Sequence, residues 1–206
     1  MPVPVEAENP SARSQDPLLL ANAVWAPCYF TGWTAAAHWG LTEQVFRTTV
    51  VRTVQRVRVS EQTLLDQDYL VGHVSADGIW GVVPLWREGQ RLQMADAART
   101  VVDALDDPRL AGGIRVTAEF VAAYLVEHDP SKLIEAAERL GNGAVFKRLG
   151  FIASVLELGQ PSLVEACRGR LRAGISLLDP SAKPGGERVG EWGLRLNVRI
   201  RRENPS

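Results

Sequence analysis

Residues 95–107 read ADAARTVVDALDD, and here the chain changes from strand-type to helix-type sequence. Four apolar residues recur at the spacing that places them on one face of a helix. They are Ala98, Val101, Val102 and Leu105. Pro108 follows shortly after this face ends, where proline is common just beyond a helix. The segment therefore predicts an amphipathic helix that packs its apolar face against a core.

The segment before this helix, about residues 45–94, has the composition of short strands. β-Branched and aromatic residues form the runs VFRTTVV, RVRV, YLVGHV, IWGVVPLW and LQMA. Asp-Gly and Glu-Gly pairs lie between some of these runs and are turn signals. This pattern predicts a strand-rich lobe folded as an antiparallel meander.

The segment from about 95 to 175 has helical spacing throughout, which predicts a helical lobe. After the first helix, four more are expected at about 115–127, 131–140, 143–158 and 161–173. Asp-Pro, Gly-Asn-Gly and Gly-Gln-Pro sequences separate them. Leu149, Ile152 and Leu156 share the apolar face of the helix at 143–158, so we expect them in the core.

The first residues of the chain differ from the rest. Residues 1–16 carry three prolines and few large apolar side chains, which predicts a flexible arm. Asp16 followed by Pro17 is typical of a helix start and predicts a helix over about 17–26. A second short helix is expected after Pro27, ending beside Gly40.

The end of the chain has the clearest alternation, in WGLRLNVRIR at 192–201. The apolar side chains that share one face are Leu194, Leu196, Val198 and Ile200. A final strand is expected over about 191–201. The sequence thus predicts an α+β (mixed α/β) fold, with a small antiparallel sheet, a C-terminal group of helices and a last strand that returns to the sheet. Residues 17–206 are expected to form a single domain.

Composition limits the class of protein. The chain has 206 residues, 46% of them hydrophobic, and a formal net charge of -1. Its two cysteines, Cys28 and Cys167, have neither disulfide-framework nor zinc-site spacing, and no segment has the pattern of a secretory signal or a membrane span. We expect a cytoplasmic protein with reduced thiols and no association with a membrane.

The sequence lacks the motifs of the common enzyme classes, including GxSxG, GxxxxGK[ST], HExxH and GxGxxG. His38, His73 and His128 fall in different predicted elements. Asp103 and Asp107 are four residues apart on a helix, but no further oxygen ligand is near them in sequence, so they are expected to face solvent. A hydrolase site built on Asp103 and His128 has no recognisable spacing. We expect no enzymatic activity, catalytic residue, metal or cofactor.

Charge is distributed unevenly along the chain. Residues 45–60 hold four arginines and no acidic residue, whereas residues 94–140 have a formal charge of -4 and residues 141–206 one of +5. The arginines of the early strands are Arg47, Arg52, Arg56 and Arg58, and those of the last strand are Arg195, Arg199, Arg201 and Arg202. Arginine binds carboxylates and phosphates alike, so both rows are candidate contacts for an acidic protein or a nucleic acid. Alternatively, they form a solvated strand face that prevents edge-to-edge aggregation.

Four stretches of the chain form one pattern when they are taken in order, TGWTAAAHWGLTEQ at 31–44, ADAARTVVDALDDPRLAGG at 95–113, KRLGFIASVLELG at 147–159 and WGLRLNVRI at 192–200. Together they resemble the AbiE antitoxin family (AbiEi) of bacterial toxin–antitoxin pairs. The resemblance implies an α/β antitoxin domain whose partner is a toxin of nucleotidyltransferase fold that acts on RNA. Family members commonly carry an N-terminal winged helix-turn-helix as well, and residues 1–28 leave no place for its three helices.

The resemblance implies an antitoxin that neutralises a cognate nucleotidyltransferase-type toxin, directly or indirectly. The alternative is a DNA-binding transcriptional regulator of its own operon that uses the basic strand surfaces. Operator DNA is a doubtful partner without the winged helix-turn-helix. The sequence leaves the oligomeric state open and slightly favours a monomer.

Overall fold

The structure, a computed structural model, describes residues 16–201. The α-helices of this part of the chain are α1 (Pro17–Trp25), α2 (Gly32–His38), α3 (Ala97–Asp106), α4 (Ile114–Glu127), α5 (Pro130–Leu140), α6 (Gly143–Val155) and α7 (Pro161–Arg168). The strands are β1 (Cys28–Phe30), β2 (Thr49–Thr53), β3 (Glu61–Leu64), β4 (Gln67–His73), β5 (Val82–Arg87), β6 (Gln90–Ala95), β7 (Ser176–Leu177), β8 (Glu187–Val189) and β9 (Leu194–Leu196). The mixed α/β class predicted from the sequence is confirmed. The arm expected at 1–16 lies, but for Asp16, outside the described residues.

The main sheet has six strands in the order β3-β4-β2-β1-β6-β5. β1 pairs antiparallel with β2 and parallel with β6, and β2 pairs parallel with β4. The predicted antiparallel meander is therefore wrong, because only β3-β4 and β5-β6 are hairpins of sequential strands. The sequence prediction missed β1, a strand of only three residues at the middle of the sheet, all of them buried.

Both short N-terminal helices form where the sequence predicts them. An Asp16 carboxylate oxygen accepts a hydrogen bond from the Leu18 amide at 2.8 Å, which caps α1. After α2, Gly40 adopts a φ of +67°, and the Leu41 amide donates to the Ala36 carbonyl at 2.9 Å. This left-handed turn ends the helix as a glycine stop does.

The predicted helices after residue 95 are confirmed most closely. The apolar face of α3 is buried, since Val101, Val102 and Leu105 have no exposed surface. Leu149 and Ile152 of α6 are also fully buried. Asp96, Asp129 and Asn142 cap the starts of α3, α5 and α6 through side-chain oxygens. The structure shortens two predictions, ending α6 at Val155 and α7 at Arg168.

The last strand does not return to the main sheet, which corrects the sequence prediction. β9 covers three residues and lies in a separate sheet of order β7-β9-β8. Trp192, just before it, packs so closely on α6 that a Cβ at Gly150 would clash with its ring. This packing holds the segment against the helices. The predicted inward face is nonetheless correct, because Leu194 is fully buried and Leu196, Val198 and Ile200 pack on the helical core.

Two apolar clusters result from this arrangement. One is formed by α3–α7 with the small sheet, and the other by α1 with the six-stranded sheet. Trp39, at the end of α2, packs against both clusters and donates its indole N–H to the Ala95 carbonyl at 2.8 Å. α2 and its terminal tryptophan therefore connect the two layers.

Candidate partner-binding surface

Arg52 is the one member of the early arginine row that lies in a strand, and it is committed to an ion pair. Its guanidinium lies 3.3 Å from the Asp107 carboxylate, beyond the end of α3. Its side chain crosses Gly72 of β4, where a Cβ would clash with the guanidinium. Asp107 also accepts from Arg109 at 2.8 Å. Burial raises the pKa of Asp107, but Arg109 and Arg52 lower it by more, so this pKa lies below its ordinary value.

The other members of the early row lie in loops and not on strands. Arg47 precedes β2, whereas Arg56 and Arg58 follow it, and all three are exposed. The continuous basic strand face expected from the sequence is therefore absent at β2. Arg56 and Arg58 remain available as a small exposed pair.

The late row divides in a similar way. Arg195 lies in β9, directly opposite Arg188 of β8, and is partly buried. Arg199 and Arg201 lie beyond the end of β9 and are exposed. Arg202 falls outside the described residues. Arg52 lies in the six-stranded sheet and Arg195 in the three-stranded sheet, so the two predicted rows do not form one strand face.

Arg199 and Arg201 line a groove that the sequence did not predict. It has a volume of about 1000 Å³ and lies between α4, the end of α6 with the turn after it, and the C-terminal segment. We call it the arginine groove, and its apolar lining consists of Ala118, Ala122, Leu156, Leu158 and Ile200. Its charged lining consists of Arg115, Arg199, Arg201, Glu119 and Glu157.

One hydrogen bond closes the side of the groove at the start of α4. The Arg115 Nε donates to the Arg199 carbonyl at 3.1 Å, which ties α4 to the C-terminal segment. Glu119 accepts from the Gln44 side-chain amide at 3.0 Å, which orients this carboxylate and leaves its negative charge in the groove. Within residues 16–201, the ion pairs do not include Arg115, Arg199 or Arg201. Because three arginines face two glutamates, the groove presents a net positive charge to a ligand.

A second group of charged residues is buried, and sequence reasoning missed it. Asp103 is 4% exposed, although the sequence analysis expected it to face solvent. One of its carboxylate oxygens accepts from the Tyr29 hydroxyl at 3.0 Å and from the Thr31 hydroxyl at 2.8 Å. The other lies 2.6 Å from the Arg99 Nε in an ion pair. We call these four residues the Asp103 network.

Arg99 completes the network from the same helix, one turn before Asp103. Its Nη2 donates to the Tyr29 hydroxyl at 2.8 Å, while its Nη1 is buried without a hydrogen-bond partner among residues 16–201. Its Nε is close enough to Asp103 for an ion pair but lacks the alignment of a hydrogen bond. The guanidinium carbon lies 3.7 Å from the centre of the Trp80 ring, so a cation–π contact offsets part of the lost hydration. Burial raises the pKa of Asp103, and the Arg99 charge opposes that shift. The network fastens β1 to α3.

The described residues do not assemble a recognisable catalytic or metal site. No cluster of three or more His, Cys, Asp or Glu side chains among residues 16–201 is arranged to hold a metal ion. His73 Nδ1 lies 3.0 Å from the Gln55 carbonyl, and the His128 ring packs on Tyr124. Both cysteines are buried as free thiols. From Asp16 to Arg201, no helix combines the length and apolarity needed to cross a membrane.

Comparisons with known proteins bear on the fold alone. No protein-family model and no curated protein matches the chain. Among solved structures, the chain is similar to the RV2827C protein from Mycobacterium tuberculosis, with a TM-score of 0.61 and 13% sequence identity. The match covers 87% of this chain and 67% of that one. Two chains so different in sequence share an architecture, and function has to be argued from this chain's own residues.

Proposed function

We propose that this protein is an antitoxin that neutralises a nucleotidyltransferase-type toxin in the cytoplasm. The observation that carries the proposal is that the four stretches that resemble the AbiE antitoxin family contact one another. Arg148, in the third stretch, donates to the carbonyls of Leu105 and Asp106 in the second, at 2.6 and 3.1 Å. Trp192, in the fourth, packs on Gly150 in the third.

The first stretch joins the same unit. Gly32, at a φ of +56°, lies so close to Leu110 of the second stretch that a Cβ there would clash with the Leu110 carbonyl. The four stretches therefore meet at contacts that hold one core together. Stretches of one antitoxin-type domain are expected to meet in one core, whereas four unrelated apolar segments are not. The contacts therefore support the antitoxin-type domain.

Binding is the mode of action that the surface supports. The described residues offer the arginine groove, with an apolar floor and exposed cations, and no arrangement of nucleophile, base and oxyanion donors stands out beside it. Exposed arginines around an apolar patch are typical of protein interfaces. We therefore favour direct contact with the toxin over indirect neutralisation.

The test is co-expression in a bacterial host with the nucleotidyltransferase-like product of the neighbouring gene. We expect the toxin alone to stop growth and this chain to restore it. A Gly150→Leu variant is the matched negative control, because the leucine would displace Trp192 and unfold the helical core. Continued growth arrest with the wild-type chain present and folded would contradict the proposal.

The alternative is a DNA-binding regulator, and the observation that favours it is the exposure of Arg47, Arg56 and Arg58 around β2. A phosphate-binding surface of this kind predicts an affinity for promoter DNA that falls steeply as salt rises. Gel shifts across a salt series, with a promoter reporter in the co-expression strain, measure this directly. Repression without rescue of growth would make DNA binding the leading function.

A further inference from the structure

The arginine groove has an apolar floor that continues along α4. Ala118 and Ala122 line it one helical turn apart, and Val126, another turn along, is 82% exposed. Val155, which precedes the groove residue Leu156 in sequence, is also exposed. A groove with an apolar lining, and large apolar side chains left in water on the helices that form it, are typical of a surface that another protein covers.

The small side chains on α4 determine what shape fits. Ala118, Ala122 and Val126 follow one line along the helix at intervals of four residues, and their exposure rises from 3% at Ala118 to 82% at Val126. They form a shallow ridge that is open to a partner at Ala122 and Val126. A second helix can lie close to such a ridge, because its own side chains fill the space that the alanines leave. Recognition of an amphipathic helix in a groove uses this geometry.

The charge at the rim of the groove determines which charged groups flank the apolar face of the occupant. The ion pairs of the described chain do not include the three arginines, and these outnumber the two glutamates of the lining, so the groove has a net positive charge. An occupant with carboxylates beside its apolar face would pair with Arg115, Arg199 and Arg201. A nucleic acid would satisfy the arginines but would leave the apolar floor uncovered.

We propose that the arginine groove receives an acidic amphipathic helix of the toxin, with apolar side chains on the α4 ridge and carboxylates on the three arginines. This inference rests on the proposed function, because the toxin is the partner that it names. It assigns the contact to one face of the molecule. The exposed pair at Arg56 and Arg58 lies outside that face.

The experiment is site-specific photocrosslinking of the purified full-length chain to the toxin. Ala122→Cys, labelled with benzophenone maleimide, places the probe in the groove, and Val59→Cys, at a position 62% exposed, places it elsewhere. Burial raises the pKa of Cys28 to about 11 and of Cys167 to about 12, so neither native thiol should react with the maleimide in the folded protein.

We expect the probe at residue 122 to crosslink an acidic amphipathic segment of the toxin, identified by mass spectrometry, and the probe at 59 to give no such product. Adding Arg199→Glu with Arg201→Glu should lower the yield about tenfold or more, since like charges at an interface oppose association. Arg56→Glu with Arg58→Glu has the same spacing of two residues and should leave the yield unchanged.

The outcomes separate this inference from the proposed function. If the wild-type chain restores growth but the probe at 122 crosslinks only a second copy of this chain, or a basic toxin segment, the groove assignment is overturned and the antitoxin proposal stands. The same holds if reversal at Arg56 and Arg58 lowers the yield while reversal in the groove does not. If the wild-type chain does not restore growth, both proposals fail.

Discussion

In the Asp103 network, a carboxylate and a guanidinium lie at 4% exposure each, surrounded by hydroxyl groups and an indole ring. In the arginine groove, the guanidinium groups of Arg199 and Arg201 reach solvent above an apolar floor. Both regions place charge beside apolar groups, but only in the first is the charge paired with an opposite charge of the same network. Charges in the network are thus committed to folding, and charges in the groove are available for binding.

The comparison predicts opposite responses to substitution. Removing a charge from the network leaves its partner buried and unpaired, which is costly in a medium of low polarity. Reversing a charge in the groove changes little in the free protein, because water already solvates it. Stability and neutralisation should therefore respond to different residues.

The largest effect is expected for Asp103→Ala. The substitution leaves the Arg99 guanidinium buried without its counter-ion, so the free energy of unfolding should fall by about 3–5 kcal/mol. Urea denaturation followed by circular dichroism measures the change. Glu43→Ala, at an exposed position, is the control and should change stability by less than about 0.5 kcal/mol. Equal stability of the two variants would show that the network is not needed for folding.

Leu149→Ala removes a fully buried side chain from α6 and tests the apolar part of the same core. Loss of the buried methyl groups and the cavity left behind should cost about 2–5 kcal/mol. Val155→Ala, on the same helix but 42% exposed, should cost less than about 1 kcal/mol. Denaturation midpoints of the two variants give the comparison, and a reversed order would contradict the packing of α6.

Tyr29→Phe keeps the ring and removes one hydroxyl from the Asp103 network. That hydroxyl donates to Asp103 and accepts from Arg99, so its loss should cost about 1–3 kcal/mol. Tyr124→Phe is the matched control, since its hydroxyl donates to the Asp129 carbonyl at a partly buried site and should cost about 1 kcal/mol. If Tyr29→Phe costs no more than the control, the hydroxyl does not join β1 to α3.

The smallest effect on stability is expected for Arg199→Glu with Arg201→Glu. Neither side chain has an ion pair within residues 16–201, so the free energy of unfolding should change by less than about 0.5 kcal/mol. Thermal unfolding of the double variant beside the wild-type chain measures this. A loss as large as that of Leu149→Ala would place these arginines in the fold and remove them as a free binding surface.

The helices and the main sheet differ in how far the sequence predicts them. The helices of the core were predicted because their signals are local, as with the caps at Asp129 and Asn142 and the glycine after α5. The order of the sheet was not, because β1 is three residues long and its parallel pairing with β6 joins positions more than 60 residues apart in sequence. Parallel pairing leaves no turn signal in the sequence.

The lack of a local signal also explains why the sequence did not predict the Asp103 network and the arginine groove. Asp103 was expected in solvent because it lies near a helix end with no further oxygen ligand close in sequence, and its partners Tyr29 and Thr31 belong to the distant segment around β1. Its position four residues after Arg99, between Val102 and Ala104, was the available signal for an ion pair within a buried face. The groove was missed because α4, the end of α6 and the last strand segment bring its lining together from three distant parts of the chain. Arg199 and Arg201 were identified as candidates, but their apolar surroundings were not.

The most direct test of this division is growth rescue by two matched double variants, Arg199→Glu with Arg201→Glu and Arg56→Glu with Arg58→Glu, each expressed with the toxin. Circular dichroism of both purified proteins establishes that they fold. We predict that the groove variant folds like the wild-type chain and fails to restore growth, whereas the variant beside β2 restores it. Full rescue by a folded groove variant would contradict the claim that the charges of the arginine groove serve binding.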